Sequence, residues 1–419
     1  MGQRSEELLA LARRAAPLAA RRGEDTLLLA KAQGCRVYDA DNVVYLDVAG
    51  GGGTNLLGYG NQYVLDAVRR VSTLGLAAGF HATVEVELLQ SLEDLLPALG
   101  PWVLTSSETE AWELAVRWCR RDTGRQRLVL FDGNRRGAVE TFHVAGSGPL
   151  GISQPLTAGI PPELARLVRV VPWGDIEALA AVINEVGVDV AAVILDPIAS
   201  QFGVVRPQPE FLTAVAEQAR AAGARLVLDE TLTGFRLAKG GAAEVFGITP
   251  DVTVYGGVLA GGISSLGAVA WARSEEPRTP GDELPPPPAP LALLAAAATV
   301  SVLRNDAIHQ RLEERAAQLQ AGIENLAERF GRPLRCARVG SVFGCAFSRQ
   351  PVSDGASFAR VDQETWSRFS RGCREAGLLL SHRSPATCFL SHAHGVKDVE
   401  QVIGAMETAL RRMQREDEA

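Results

Sequence analysis

Between about residues 100 and 272 the chain alternates short, fully apolar runs with amphipathic stretches. WVLTS, RLVLF, RLVRVV, DVAAVIL, ARLVLDE, VTVYG and GAVAWA are separated by segments of helical spacing that begin near Thr109 and Pro209. Strands apolar on both faces need cover on both faces, so this alternation predicts an α/β fold with a mostly parallel sheet between helices. The proline run ELPPPPAP closes the region, because proline lacks an amide donor, and a new helical segment is predicted to run on past Arg315. RCARVGSVFGCAFS then reads as strands, followed by helices over 366–376 and 398–413. The first 25 residues alternate charged and apolar positions at helical spacing and predict an amphipathic helix. The resulting division is an N-terminal segment, 1–75, that joins a smaller C-terminal α+β domain, 306–419, with a large α/β domain, 76–305, between them.

Composition narrows the partners. A chain of 419 residues with 47% hydrophobic content buries a sizeable core, and a net charge of −7 argues against nucleic acid or an anionic membrane as main partner. The longest apolar run, PLALLAAAATVSVL, is too short to span a bilayer and reads as a buried helix. Six cysteines without CxxC spacing imply reduced thiols and a cytoplasmic protein. Only three of the 42 basic residues are lysines (Lys31, Lys239, Lys397), the bias of a GC-rich bacterial genome. His392 and His394, in HAH, would point the same way on a strand, but a metal site is not expected there.

Taken in order, VYDADNVVYLDVAGGGGTNLLGYGNQYVLDAV, SETEAWELAVRWCRRDTGR, AAVILDPIASQFGVVRP, LVLDETLTGFR, GITPDVTVYG, GSVFG and FLSHAH resemble the class III aminotransferases of pyridoxal phosphate (PLP) fold type I. The nearest branch is the glutamate-1-semialdehyde aminomutases, and the resemblance covers almost the whole chain. It implies an aspartate aminotransferase-like large domain, a small α+β domain and a homodimer with active sites at the subunit boundary. Asp229 and Glu230 match the DE of the family's DExxTGFR, with Asp229 at the position that pairs with the cofactor's pyridine nitrogen. Asp196 stands where the family has a glutamate.

Other family positions depart. The Schiff-base lysine position is Gly257, after matches at Pro250, Asp251, Thr253 and Gly256. The phosphate cup, NSGTEA in the family, reads Ser106, Ser107, Glu108, Thr109, Glu110, Ala111. A carboxylate about 4 Å from a phosphate charge costs on the order of 4 kcal/mol at an effective dielectric of about 20. The tyrosine and histidine of the family's ring-stacking motif are Arg135 and Arg136, and the threonine donated by the neighbouring subunit falls near Pro285, in a run without threonine.

These departures lead to the expectation of a PLP-independent enzyme with no cofactor, doing acid/base chemistry (cyclisation, dehydration, condensation or hydrolysis) in bacterial specialised metabolism. Its substrate would be small or carrier-bound and carry a carboxylate or amine. Glu108, His81 and Asp229 are the candidate catalytic groups, and Arg135, Arg136, Ser107 and Thr109 the candidate substrate-binding groups. Two alternatives stay open: a non-catalytic relative that binds a partner protein through a cavity plugged by Glu108 with Arg135 and Arg136, and a lysine-less protein that binds PLP or pyridoxamine phosphate (PMP) non-covalently.

Overall fold

The computed structural model describes residues 2–15, 27–74, 81–134, 137–148, 150–262, 266–273, 284–381 and 387–418. Strands, numbered in chain order, form three sheets. In the first, β1 (Leu29–Gln33), β2 (Arg36–Asp39) and β3 (Val44–Asp47) are antiparallel neighbours, and the short β15 (Leu378–Leu379) pairs in parallel with β3 through Leu378↔Leu46 and Leu379↔Asp47. The central sheet has nine strands: β4 (Leu99–Thr105), β5 (Arg127–Phe131), β6 (Val144–Ser147), β7 (Ile152–Pro155), β8 (Val168–Val171), β9 (Val190–Leu195), β10 (Arg225–Glu230), β11 (Val252–Tyr255) and β12 (Gly267–Ala272). Their spatial order is β4-β12-β11-β10-β9-β5-β8-β7-β6. The third sheet is β13 (Leu334–Val339), β14 (Val342–Phe347) and β16 (Thr387–Phe389), all antiparallel.

The sheet follows from its residues. β9 reads VAAVIL with every position buried, as expected of a strand covered on both sides, and β11, β10, β9, β5 and β8 run parallel. β12 and β4 close one edge antiparallel, and the hairpin β6–β7, which carries no long apolar run, closes the other. That hairpin is absent from the pattern-based expectation because short polar edge strands carry little periodic signal.

The helix Glu108–Thr123 packs on this sheet through Ala111, Trp112, Leu114, Ala115 and Cys119, all fully buried, with Trp112 edge-on to Phe142 at 5.1 Å. Gly124, at φ 69°, ends it, since a left-handed residue stops the helical ladder at least cost when it is glycine. The helix expected to run on past Arg315 is two helices, Pro290–Leu303 and Ala307–Arg329, bent by 78°. The break is local chemistry: Asn305 Oδ1 accepts from Ala307 N at 3.1 Å, so the Asn-Asp pair turns the chain instead of continuing it. No single described helix is long and apolar enough to cross a membrane.

Because Trp112 fixes the helix that carries Glu108, Trp112→Ala is expected to cost about 3–5 kcal/mol of stability and Trp112→Phe clearly less. Urea unfolding measures both; equal losses would mean that the indole volume is not what seats the helix.

Candidate functional site

Carboxyl ends of parallel strands are where an open α/β sheet presents chemistry, because helix amino ends and loops converge there. A cleft of about 570 Å³ opens at this edge, lined by Glu108, Gly137, Ser200, Leu232, Gly51, Gly52, Asp47, Tyr59, Thr387 and Phe389 among others. It therefore draws on strands of the first and third sheets and on loops and the helix end above the central one.

Behind Glu108 lie the ends of β10 and β11. Asp229 is buried, and its Oδ1 accepts from the backbone N–H of Thr231 at 3.0 Å and from the Thr231 hydroxyl at 2.5 Å. Beside Thr231 the chain passes through Gly256, where a Cβ would lie 2.6 Å from Glu108 Oε2 and 3.2 Å from Thr231 Cβ. Only a residue without a side chain lets the carboxylate sit there. Asp229, Thr231, Gly256 and Glu108 thus pack one against the next, with Glu108 the one of them that lines the cleft and Gly257 next along the chain.

Glu108 is the first residue of its helix. Ser107 caps that helix by accepting from Glu110 N at 3.2 Å, and Glu110 Oε2 accepts from Ser106 N at 2.8 Å. The Ser-x-x-Glu spacing of this reciprocal cap is readable in the sequence. Thr109 Oγ1 accepts from Ala138 N at 3.1 Å, fastening the next loop to the same helix end. Carboxylates in a first turn are stabilised by the positive end of the helix macrodipole, so Glu108 and Glu110 are at home there. Ser107 and Thr109 accordingly spend their hydroxyls on the helix end. Arg135 and Arg136 lie outside the described residues.

The opposite wall is backbone. Gly50, Gly51, Gly52 and Gly53 have φ of 57°, 61°, 71° and 93°, four consecutive left-handed residues that only glycine adopts freely. Asp47 Oδ1 accepts from the N–H groups of Ala49 and Gly50 at 2.8 and 3.3 Å, and Tyr59 donates to Asp47 Oδ2 at 2.7 Å. Burial beside that carboxylate pushes the Tyr59 hydroxyl well above its ordinary range. From behind, buried Arg236 donates to Gly53 O and Leu390 O and stacks on Phe389, and burial brings its guanidinium down to about 9. The glycine run from Gly50 reads in the sequence as close backbone packing or room for substrate, whereas Asp47 and Tyr59 carry no signal as site residues apart from their nearness to that run. On a third side, Ser200 follows Ala199 at φ 41° and precedes Val204 at φ 74°, and its hydroxyl donates to Asp196 Oδ2 at 2.6 Å. A β-branched residue in that region is strained, which is more common near functional sites than elsewhere.

His81 stands apart. Its side chain is 80% exposed, bonds Glu85 Oε2 at 2.8 Å through Nδ1, and is not among the residues lining the cleft. His392 and His394 follow β16 in a turn and are not strand residues. His394 is buried, with Nδ1 accepting from Ser391 N at 3.0 Å and Nε2 donating to Asp47 O at 3.1 Å, so both ring nitrogens are used by the chain. Among the described residues no group of His, Cys, Asp and Glu is set to hold a metal ion. Lys31 lies over the Tyr38 ring at 5.1 Å, Lys239 pairs with Asp306 at 2.7 Å and Lys397 is exposed; none of the three lines the cleft.

For a pyridoxal-type cofactor the two poles of this cleft differ. The buried Asp229 at a strand end suits a pyridine nitrogen, while the place a side chain at Gly256 would take is filled by the Glu108 carboxylate. At the helix end Ser106 N and Glu110 N are already bonded within the chain, and Glu108 adds a like charge, so a phosphate there competes with Glu108.

Residues 19–410 match the family described as aminotransferase class-III. The chain is 36% identical over 395 residues to a glutamate-1-semialdehyde 2,1-aminomutase of Sorangium cellulosum, covering 93% of this chain and 90% of that one. It superposes on an omega-transaminase from Sphaerobacter thermophilus with a TM-score of 0.89 at 27% identity, covering 99% and 98% of the two chains. It superposes equally broadly, at 97% and 94% coverage, TM-score 0.85 and 25% identity, on a lysine-to-alanine variant of a glutamate-1-semialdehyde aminomutase from Pseudomonas aeruginosa PAO1 in complex with PMP. These relatives correct the expectation of a site with no cofactor. That expectation rests on four departures together, at Gly257, Glu108, Arg135 with Arg136, and Pro285, whereas a protein of the same fold holds PMP even with a lysine replaced by alanine. A missing amine removes a covalent bond, not the cradle.

His394 makes the site wall acid-sensitive. Burial brings its imidazole from an ordinary 6.5 to about 4, so between those pH values the unfolded chain binds a proton that the folded chain does not. Stability is therefore full above pH 6.5 and falls as pH drops toward 4, by on the order of 3 kcal/mol. Urea midpoints across this window should fall more steeply for the wild type than for His394→Gln; parallel profiles would exclude His394 as the source.

Proposed function

The chain belongs to the class-III aminotransferase family, and from that premise we propose that its cleft takes PLP or PMP without a covalent link and uses Glu108 where the family uses a lysine amine. The substrate is small and carries an amine or a carbonyl. The observation that carries this reading is the Glu108 carboxylate against Gly256, one residue from the lysine position. A base at that point stands where the family's proton-transfer group stands, on a helix seated by Trp112.

When bound, the cofactor supplies an electron sink for charge developing on the carbon beside the substrate nitrogen. The chain supplies the rest. Asp229, held by the amide and hydroxyl of Thr231, binds and orients the pyridine nitrogen. Glu108 removes a proton from the substrate carbon and returns it, a task for a carboxylate within hydrogen-bond reach of that carbon's proton. The Gly51–Gly52 wall leaves the substrate side of the cleft open to a group that side chains would otherwise exclude. Arg315 and other basic groups outside the cleft take no part in this scheme.

Glu108 is also the like charge nearest the phosphate end, so this reading separates binding from turnover. Titration with PMP, followed by quenching of protein fluorescence, is expected to saturate in the wild type and to reverse on dialysis. With PLP, borohydride treatment is expected to leave no adduct on a lysine. Glu108→Gln should bind PMP about tenfold more tightly, since removing one like charge is worth more than 1 kcal/mol even when partly screened, while losing proton exchange at the substrate carbon. Asp229→Asn should weaken binding about tenfold. No PMP binding by either wild type or Glu108→Gln, or a borohydride-fixed lysine adduct, would overturn the reading.

A further inference from the structure

Cys336 and Cys345 face each other directly across the antiparallel pair β13–β14. Directly opposed residues in such a ladder have Cα atoms about 4.5 or 5.5 Å apart, and both spacings fall within the range a disulfide spans. The Cys336 thiol lies against that of Cys345 and, together with burial, holds the Cys345 thiol well above its ordinary range. Cys336 is half-buried and Cys345 buried, and both are free. Cys336 also lines a groove of about 330 Å³ with Arg332, Arg335 and Arg349 around it and Glu324 at one side. Arg332 is paired with Asp417, and Arg335 donates to the carbonyls of Ser348 and Arg349. The groove therefore presents an excess of guanidinium charge beside Cys336, the less buried residue of the pair.

We propose that Cys336 and Cys345 form a redox-modifiable pair, reached through this groove by an anionic low-molecular-weight disulfide of the glutathione class. The Cys336 sulfur, as thiolate, attacks one sulfur of the disulfide, forming a mixed disulfide and releasing one thiolate, which takes up a proton. Cys345, losing its proton, then attacks the Cys336 sulfur and releases the second thiol. Two protein thiols are oxidised and one reagent disulfide is reduced to two thiols. Carboxylates on the reagent account for the arginines, which a neutral disulfide would not need. β14 also pairs with β16, whose Thr387 and Phe389 line the central cleft, so the link forms one strand away from the site wall. This inference is independent of the cofactor reading.

The test uses the full-length folded protein, incubated with oxidised glutathione, alkylated, and mapped by mass spectrometry. Trypsin cuts after Arg338 and so places the two cysteines in different peptides. The wild type is expected to lose two of its six thiols, with a link between the Cys336 and Cys345 peptides and no retained glutathione. Cys345→Ala is expected to hold one glutathione at Cys336. In that variant the uncharged 2-hydroxyethyl disulfide should react at least about threefold more slowly at low salt, and Arg349→Gln should shrink the difference. A glutathione retained on wild-type Cys336, reaction at another cysteine first, or no reaction while circular dichroism reports a folded protein would overturn the proposal. Equal rates for the two reagents would overturn the role of the groove.

Discussion

The carboxylate of Glu108 sits at the amino end of its own helix and against the bare backbone of Gly256, and the character of the cleft depends on that contact. A helix amino end attracts negative charge, and a protein can satisfy it with a ligand's phosphate or with its own side chains. Here Glu108 and Glu110 fill that role, with Ser107 closing the cap. The arrangement is stable only because Gly256 has no Cβ, which would lie 2.6 Å from the carboxylate oxygen. Charge and glycine are two halves of one device. It places a carboxylate oxygen on the cleft wall, joined through Gly256 and Thr231 to the buried Asp229.

The remaining walls are built to hold still around that oxygen. Four left-handed glycines would be a floppy segment if left alone, because glycine loses the most freedom on ordering. They are instead fixed by Asp47 from one side and by Arg236 from the other, and Tyr59 fixes Asp47. Arg236 is wholly buried and bonds only carbonyls and the Phe389 face, an expensive way to place a cation. That expense secures a wall made of backbone, open to whatever the cleft receives.

The alternation of apolar runs and the ordered motifs were enough to read the sheet and the family, since β9, β10, β11 and β5 each announce themselves as fully buried strands. Long-range geometry was not readable in the same way. His81 stood in a motif near the expected site but points to solvent and to Glu85, because helix Thr83–Leu95 carries it outward. The histidine pair was read on a strand, whereas the chain turns after Phe389 and buries one imidazole against Asp47 O. The kink after Leu303 was hidden in an apolar run whose composition favours helix on both sides of Asn305. The expectation of a cofactor-free site fails for a different reason: it takes four departures around one pocket as loss of the whole cradle, while Asp229 keeps its own partners at Thr231.

The proposed pairing of Glu108 and Asp229 around one cofactor is tested by a crystal structure of the protein grown with PMP. The pyridine nitrogen is expected within hydrogen-bond distance of Asp229, and the Glu108 carboxylate beside the Gly256–Gly257 turn, displaced from the phosphate. Crystals soaked at saturating PMP that show Glu108 unmoved and no ligand against Asp229 would contradict it.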